Sequence, residues 1–409
     1  MTAYTAPPPT LPRLEFVTLL AAIMAVNALG VDLMLPALPA IGHDLGMRTA
    51  NAQQWVVTAY VFGLAIGQLL YGPLADRYGR RPVLLIALSG FVLSCVVGAA
   101  AQTFDTMIAA RILQGVMAAS TRVIAVTVVR DHYSGRRMAQ TMSLIQMVFF
   151  LVPILAPTLG SGLLLLGPWR MIFYVLGGFA ALVCLWAAIR LTETLPPAAR
   201  RPLSVASLLN AGRQTLTNRF SLGYSLAGAM TFGGIIAFVS SAEQLFVDTF
   251  HQGGRFTLLF GLCAFAMGMA SFVNSRLVER LGTRLISHTA VCGLILLSLI
   301  HLAVVLGHVE TLAIYVTIQA LSMGCIGLCG ANFGAMAMAP VGHIAGSASS
   351  VQGAVSSLGA VVVGSAIGQS YDGTTFAIAA GYLGIGLGVL AIIFVVEGGQ
   401  LFKGRLGAD

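Results

Sequence analysis

Gly72-Pro73-Leu74-Ala75-Asp76-Arg77-Tyr78-Gly79-Arg80-Arg81-Pro82 is a charged, glycine-punctuated stretch between two long apolar runs. In a chain with only 9% charged residues it gathers one acid and three arginines. Asp76 closes the apolar run before it. A helix macrodipole is negative at that end and disfavours an anion. The spacing therefore predicts a loop whose Asp76 is held by a neighbouring arginine or by the N-terminus of another helix. A charge held in that way is a candidate latch.

The pattern returns in the second half as Ser275-Arg276-Leu277-Val278-Glu279-Arg280-Leu281-Gly282-Thr283-Arg284. Leu74, Asp76, Arg77, Gly79 and Arg81 map onto Leu277, Glu279, Arg280, Gly282 and Arg284 at one offset, close to half the chain length. Duplicated transporter folds repeat on that scale.

Composition sets the solvent. The 409 residues are 57% hydrophobic, with a mean hydropathy of +0.90, whereas soluble domains carry about 25% charged residues. Such a chain cannot cover a water-facing surface, so lipid must solvate it. The apolar runs are continuous and lack strand alternation, which makes the fold all-α rather than a barrel. The net charge of +8 resides in short loops, with no basic face interleaved with aromatics, so nucleic acid is not an expected partner. Cys95, Cys184, Cys263, Cys292, Cys325 and Cys329 all fall in apolar runs and read as small packing residues. No nucleophile, base and orienting group are spaced for chemistry and no metal cluster is visible, so neither an enzyme nor a cofactor is expected.

Twelve segments of spanning length can be read, near 14–38, 53–73, 82–101, 105–128, 138–162, 168–190, 219–243, 256–276, 285–306, 310–332, 341–367 and 375–397. They group into a tail (1–13), a six-helix bundle (14–191), a connector (192–218), a second bundle (219–397) and a C-terminal tail (398–409). The proline-bearing N-terminus has no basic n-region, so the first run is a retained span. In the connector, Ser204 is placed to cap a short amphipathic helix with Val205, Leu208, Leu209 and Leu216 on one side. Arginines concentrate on the side of the N-terminus: Arg13; Arg77, Arg80, Arg81; Arg130, Arg136, Arg137; Arg190 to Arg219; Arg276, Arg280, Arg284; Lys403 and Arg405. The opposite loops hold Arg48, Arg170 and Arg255. That bias predicts two cytoplasmic termini.

Charges inside the spans mark a pathway by default. Asp32 lies in the first span. Arg111, Gln114, Ala118 and Arg122 share one face of the fourth, a polar stripe that must face protein or a cavity. A carboxylate set between desolvation and a nearby cation can bind and release a proton, which makes Asp32 the coupling candidate and Arg111 its partner. The plain alternative for Arg111 is a hydrogen-bonding post to backbone. Glu243 lies near the outer end of the seventh span. Tyr60, Gln146 and Phe150 are further cavity candidates beside Gln114 and Arg122. Pro153, Pro157 and Gly160 in the fifth span predict a bend or gate.

These residues resemble a family. Gly72 to Pro82 is similar to the loop signature between the second and third helices of the major facilitator superfamily. Arg111-x-x-Gln114-Gly115 resembles the fourth-helix signature of its proton-coupled members, and Pro153 to Gly162 loosely resembles the fifth-helix antiporter signature, with Ala156 where a glycine is usual. Asp32-x-x-Leu35-Pro36-Ala37-Leu38-Pro39, Trp169-Arg170-x-x-Phe173 and Ala339-Pro340 through Ser349 look like the bicyclomycin-resistance (Bcr/CflA) branch of drug:proton antiporters. Met34 stands where that branch commonly has tyrosine. Val126 stands where it often has an arginine, and Arg122 lies one turn earlier.

The resemblance implies two pseudo-symmetric six-helix bundles, alternating access, and a monomer in the cytoplasmic membrane of a bacterium. It implies export of a small amphipathic compound against protons, with the proton gradient as the energy source. Gly72, Asp76, Arg77, Gly79, Arg80 and Arg81 would latch the cytoplasmic side near Gly346, with Glu279 and Arg280 as the weaker repeat. An uptake symporter or metabolite exporter of the same fold, and a non-transporting membrane sensor, are the alternatives.

Overall fold

The computed structural model describes residues 11–47, 49–133, 135–200 and 205–402. Among them the secondary structure is helical throughout, and the chain divides into two compact units, Met1–Leu208 and Leu209–Asp409. The division falls inside the connector.

The first unit contains α1 (Arg13–Asp32), the short α2 (Leu38–Asp44), α3 (Trp55–Tyr78), α4 (Arg80–Ala99), α5 (Phe104–His132), α6 (Gly135–Leu166) and α7 (Arg170–Arg190). A connector helix, α8 (Val205–Thr217), leads to α9 (Arg219–Glu243), α10 (Phe256–Leu281), α11 (Thr283–Leu306), α12 (Leu312–Met338), α13 (Ala345–Gln369) and α14 (Phe376–Val396). Among the described residues, ten helical runs are long and apolar enough to cross a membrane. One of them, Leu312–Gln369, covers 58 residues and two helices, joined by a 3-10 turn at Ala339–Ile344. Helix α6 adds a shorter apolar stretch, Val152–Leu166.

The stretch around Asp76 is not the loop that its charges and glycines predict. Helix α3 runs through Pro73 to Tyr78, and α4 starts at Arg80. Only Gly79 breaks the run, at φ 102° and ψ 158°. Its repeat has the same form: α10 runs to Leu281, Gly282 sits at φ 78° and ψ 159°, and α11 begins at Thr283. Both breaks need a positive φ, which glycine adopts without steric penalty. Pro73 is tolerated because a membrane helix tolerates proline more readily than a soluble one.

Helix starts are closed by side chains where a polar residue is available. Thr103 Oγ1 accepts from Thr106 N at 3.2 Å, Asn218 Oδ1 accepts from Phe220 N and Ser221 N at 3.0 Å each, and Thr311 Oγ1 accepts from Ile314 N at 3.3 Å. Each satisfies a donor that the first turn leaves unpaired.

Small residues let the helices approach closely. A Cβ built on Gly115 would lie 1.9 Å from the Tyr60 carbonyl oxygen, and one on Gly63 would lie 2.1 Å from that of Ile112. These contacts clamp α3 to α5. In the second unit, Gly327 against the Met267 carbonyl, at 2.5 Å, does the same for α12 and α10. Asn274 and Asn332 join that second pair by reciprocal amide bonds of 3.3 and 2.9 Å. Close backbone approach with interhelical polar bonds is how membrane helices hold together without a hydrophobic drive.

The expected connector helix is present as α8; its Ser204 cap and the side chains of Val205 and Leu208 lie outside the described residues. Leu209 is 69% exposed and Leu216 44%, whereas Ala211 and Thr215 are buried. One further expectation needs correction. The segment expected as a span from 341 starts as a helix only at Ala345, because Val341 has non-helical angles within the preceding turn.

Candidate functional site

The first unit holds a polar knot at four helices. Arg111 of α5 is fully buried. Its Nε donates to the Val56 carbonyl at 2.9 Å, Nη2 to the Gly30 carbonyl at 2.9 Å, and Nη1 to Gln114 Oε1. The guanidinium stacks on the Tyr60 ring, 4.5 Å from its centroid. Gln114 Nε2 then donates to Cys95 Sγ at 3.0 Å. The Tyr60 hydroxyl is shared between the Asn27 carbonyl, at 3.1 Å, and Asn27 Oδ1, at 2.9 Å. Helices α1, α3, α4 and α5 all contribute.

Asp32 closes α1 and is 6% exposed. Among the described residues its carboxylate makes no hydrogen bond or ion pair. Arg111 therefore does not salt-bridge it. The guanidinium grips the main chain of α1 two residues earlier, at Gly30. This is the arrangement of a backbone post. A charged fork with three separate acceptors fixes where α1 ends, and so where Asp32 stands.

The gate candidates meet α1 just past this point. Helix α6 continues through Pro153 and Pro157 without interruption. A Cβ on Gly160 would lie 2.2 Å from the Leu33 carbonyl oxygen, so α6 touches the residue after Asp32. Only glycine permits that contact. Gln146 and Phe150 lie on α6, but their side chains fall outside the described residues. Arg122, two turns and more beyond Gln114 on α5, is exposed. Glu243 is buried at the end of α9, in the second unit.

The latch residues form a cluster at one end of the first unit. Arg80 is 5% exposed and binds Asp76 at 2.7 Å, Asp131 of α5 at 3.4 Å, and the Ala75 carbonyl at 2.6 Å. Of the two partners foreseen for Asp76, it is the neighbouring arginine that holds it. Gly72 lies one turn before Asp76 within α3. Arg77 is exposed, and Arg81 donates to the Ala188 carbonyl at 2.6 Å. The residue that organises the cluster is Glu193, which the sequence reading missed. Its two oxygens accept from Arg80 N at 2.9 Å and Arg81 N at 3.2 Å. Gly79 has no side chain to cap α4, so the acid after α7 does so.

The repeat is only partly equivalent. Glu279 and Arg280 are both exposed, and neither forms an ion pair among the described residues. Glu279 has Thr283 at the position where Asp76 has Arg80, so no cation stands one turn on. A largely buried pair of the second unit joins Arg284 to Glu397, at 2.9 Å, and Tyr224 also donates to Glu397. A signal for both missed acids was present. The offset that carries Asp76 to Glu279 carries Glu193 to within one residue of Glu397.

At the other end of the first unit, Trp169 Nε1 donates to Asp44 Oδ2 at 2.8 Å, and Arg170 binds the same oxygen at 3.3 Å while stacking on Trp169. This explains the Trp169-Arg170 pair as a tie between α7 and α2.

The Major Facilitator Superfamily family model matches residues 20–364. The chain belongs to the Major Facilitator Superfamily. It is 33% identical over 346 residues to "Uncharacterized MFS-type transporter YdgK" of Bacillus subtilis, covering 83% of this chain and 85% of that one. It is 29% identical over 268 residues to "Bicyclomycin resistance protein homolog" of Haemophilus influenzae, covering 65% and 67%. These relatives bear out the resemblance read from the motifs. Among solved structures, the xylose transporter XylE from E. coli aligns with a TM-score of 0.75 at 13% identity, covering 97% of this chain and 99% of that one. That likeness concerns the fold alone. The superfamily and its named relatives make this superfamily member a multi-pass transporter rather than an enzyme.

Proposed function

We propose that the chain exports small amphipathic compounds across a bacterial cytoplasmic membrane in exchange for protons, by alternating access, as a monomer. In this reading it has twelve spans. The 58-residue run divides at its 3-10 turn, and α6 crosses as well. The arginine bias then puts both termini in the cytoplasm.

The observation that carries the reading is Asp32. It is a buried carboxylate with no partner among the described residues, at the end of α1, where a guanidinium post holds the backbone and α6 abuts the next residue. An acid at membrane depth without a fixed counter-ion is costly, and such residues mark ion pathways. Its protonation removes the charge, so occupancy by a proton and position of α1 are linked through one group. Asp76, Arg80, Asp131 and Glu193 serve as the cytoplasmic latch, and Pro153, Pro157 and Gly160 as the bend beside Asp32. No cofactor is required beyond the proton gradient.

In proteoliposomes, Asp32→Asn is expected to bind substrate but to lose transport driven by a pH gradient. Gradient-driven transport at the unaltered rate would move the proton site elsewhere, with Glu243 next in line. The same assay, with the gradient imposed in either sense, separates export from uptake.

A further inference from the structure

We infer that the exported compound carries an anionic group, a carboxylate or sulfonate, and that Arg122 receives it. The inference rests on the export reading above and names the substrate class for it.

Arg122 carries a charge that neither the knot nor the latch uses. It lies 18 positions into α5, which has 29 residues. At about 1.5 Å per residue it stands roughly 15 Å from the His132 end, too deep for its side chain to reach the interface freely. Ile112, Val116, Val123 and Thr127 form a partly exposed stripe along α5, and between Ala109 and Arg130 the most open position is Arg122, on a different face. The neighbours Ala118, Ala119, Thr121 and Ala125 are buried. Arg122 stands on the face that it shares with the buried Arg111, Gln114 and Ala118, and that face opens at the guanidinium. A charge does not face hydrocarbon, so the opening is a water-filled recess.

The charge is also uncompensated. Among the described residues Arg122 makes no hydrogen bond, and no ion pair includes it. The buried arginines of the first unit are satisfied: Arg111 by three acceptors, Arg80 by two acids and a carbonyl. Asp131, the acid of α5 nearest to it in sequence, is taken by Arg80 and by Thr194 Oγ1 at 2.7 Å. A planar fork of free N–H donors in a low-dielectric recess selects a planar or tripodal oxyanion over an amide or an ammonium. The missing counter-charge is supplied by the cargo.

The test uses the full chain in nanodiscs and three radiolabelled probes with the same ring and tail: 4-hexylbenzoate, 4-hexylbenzamide and 4-hexylbenzylammonium. Binding is corrected for empty nanodiscs. The benzoate is expected to bind at least tenfold more tightly than the amide. Arg122→Gln is expected to abolish that gap without weakening the amide, and Arg122→Lys to restore part of it. The amide serves as the folding control, because a misfolded variant would lose all three. Equal binding of benzoate and amide overturns the inference, as does a gap that survives Arg122→Gln, or no saturable benzoate binding. Efflux from inverted vesicles then separates the two claims. Arg122-dependent benzoate binding without proton-driven flux leaves the anion site standing and removes the export reading. Proton-driven export of the ammonium or amide, with no benzoate preference, does the reverse.

Discussion

Arg111→Lys distinguishes a charge from a post. If Arg111 acts only through its positive charge near Asp32, lysine keeps that charge and transport should persist. The structure makes a different demand. Three N–H groups reach three acceptors on three helices: Gly30, Val56 and Gln114. An ammonium is a point donor and cannot serve acceptors spread around a planar fork. At least one charge-assisted bond is lost, at about 1.5–3 kcal/mol, and part of the stack on Tyr60 goes with it, at about 0.5–1 kcal/mol. The expected destabilisation is roughly 2–4 kcal/mol. At about 2–4 °C per kcal/mol for a unit of this size, the melting temperature should fall by roughly 4–16 °C. A second readout is local. Gln114, released from Arg111, no longer holds its amide on Cys95, a buried thiol. Alkylation of Cys95 by a small maleimide should accelerate at least tenfold, and gradient-driven transport should fall with it. Unchanged melting, unchanged Cys95 protection and intact transport together would refute the post.

Two further outcomes follow from close contacts elsewhere. Gly115→Ala places a methyl 1.9 Å from the Tyr60 carbonyl oxygen, so α3 and α5 must part by more than an ångström; overpacking of this kind costs about 1–3 kcal/mol, read as a lower melting temperature with normal membrane insertion. Glu397→Ala leaves the guanidinium of Arg284 without its acid and should cost about 3–5 kcal/mol, whereas the double variant Glu397→Leu with Arg284→Met should recover most of that loss; equal melting of single and double variants would refute a coupled pair.

The membrane character, the helical class and the internal repeat were legible because each is written in long-range pattern. Apolar runs of spanning length do not depend on which neighbour they meet. The site was legible only in part, and Arg111 shows why. Its residue type and depth signalled that it needs partners, but two of the three are main-chain carbonyls. Every residue has a carbonyl, so no side-chain pattern points to it. Asp76 was rightly placed at the C-terminal end of a helix, but the stretch around it was read as a loop because glycine, proline and charge usually mark one. Helix α3 carries Pro73 and Asp76 inside it and spends a single glycine on the break. Glu193 went unread because its work is done on backbone N–H groups more than a hundred positions earlier.

The two one-residue breaks constrain movement. Gly79 alone joins α3 to α4, and Gly282 alone joins α10 to α11. One extended residue spans about 3.5 Å, so neither partner of a pair can slide past the other by even a single helical turn of 5.4 Å. Each pair therefore travels as a hairpin with a stiff elbow, tilting rather than sliding. At Gly79 the elbow is pinned as well, because both oxygens of Glu193 hold the first amides of the returning arm. Any stroke within the first unit must be taken up at joints with more slack, such as the interrupted helix beyond Asp32.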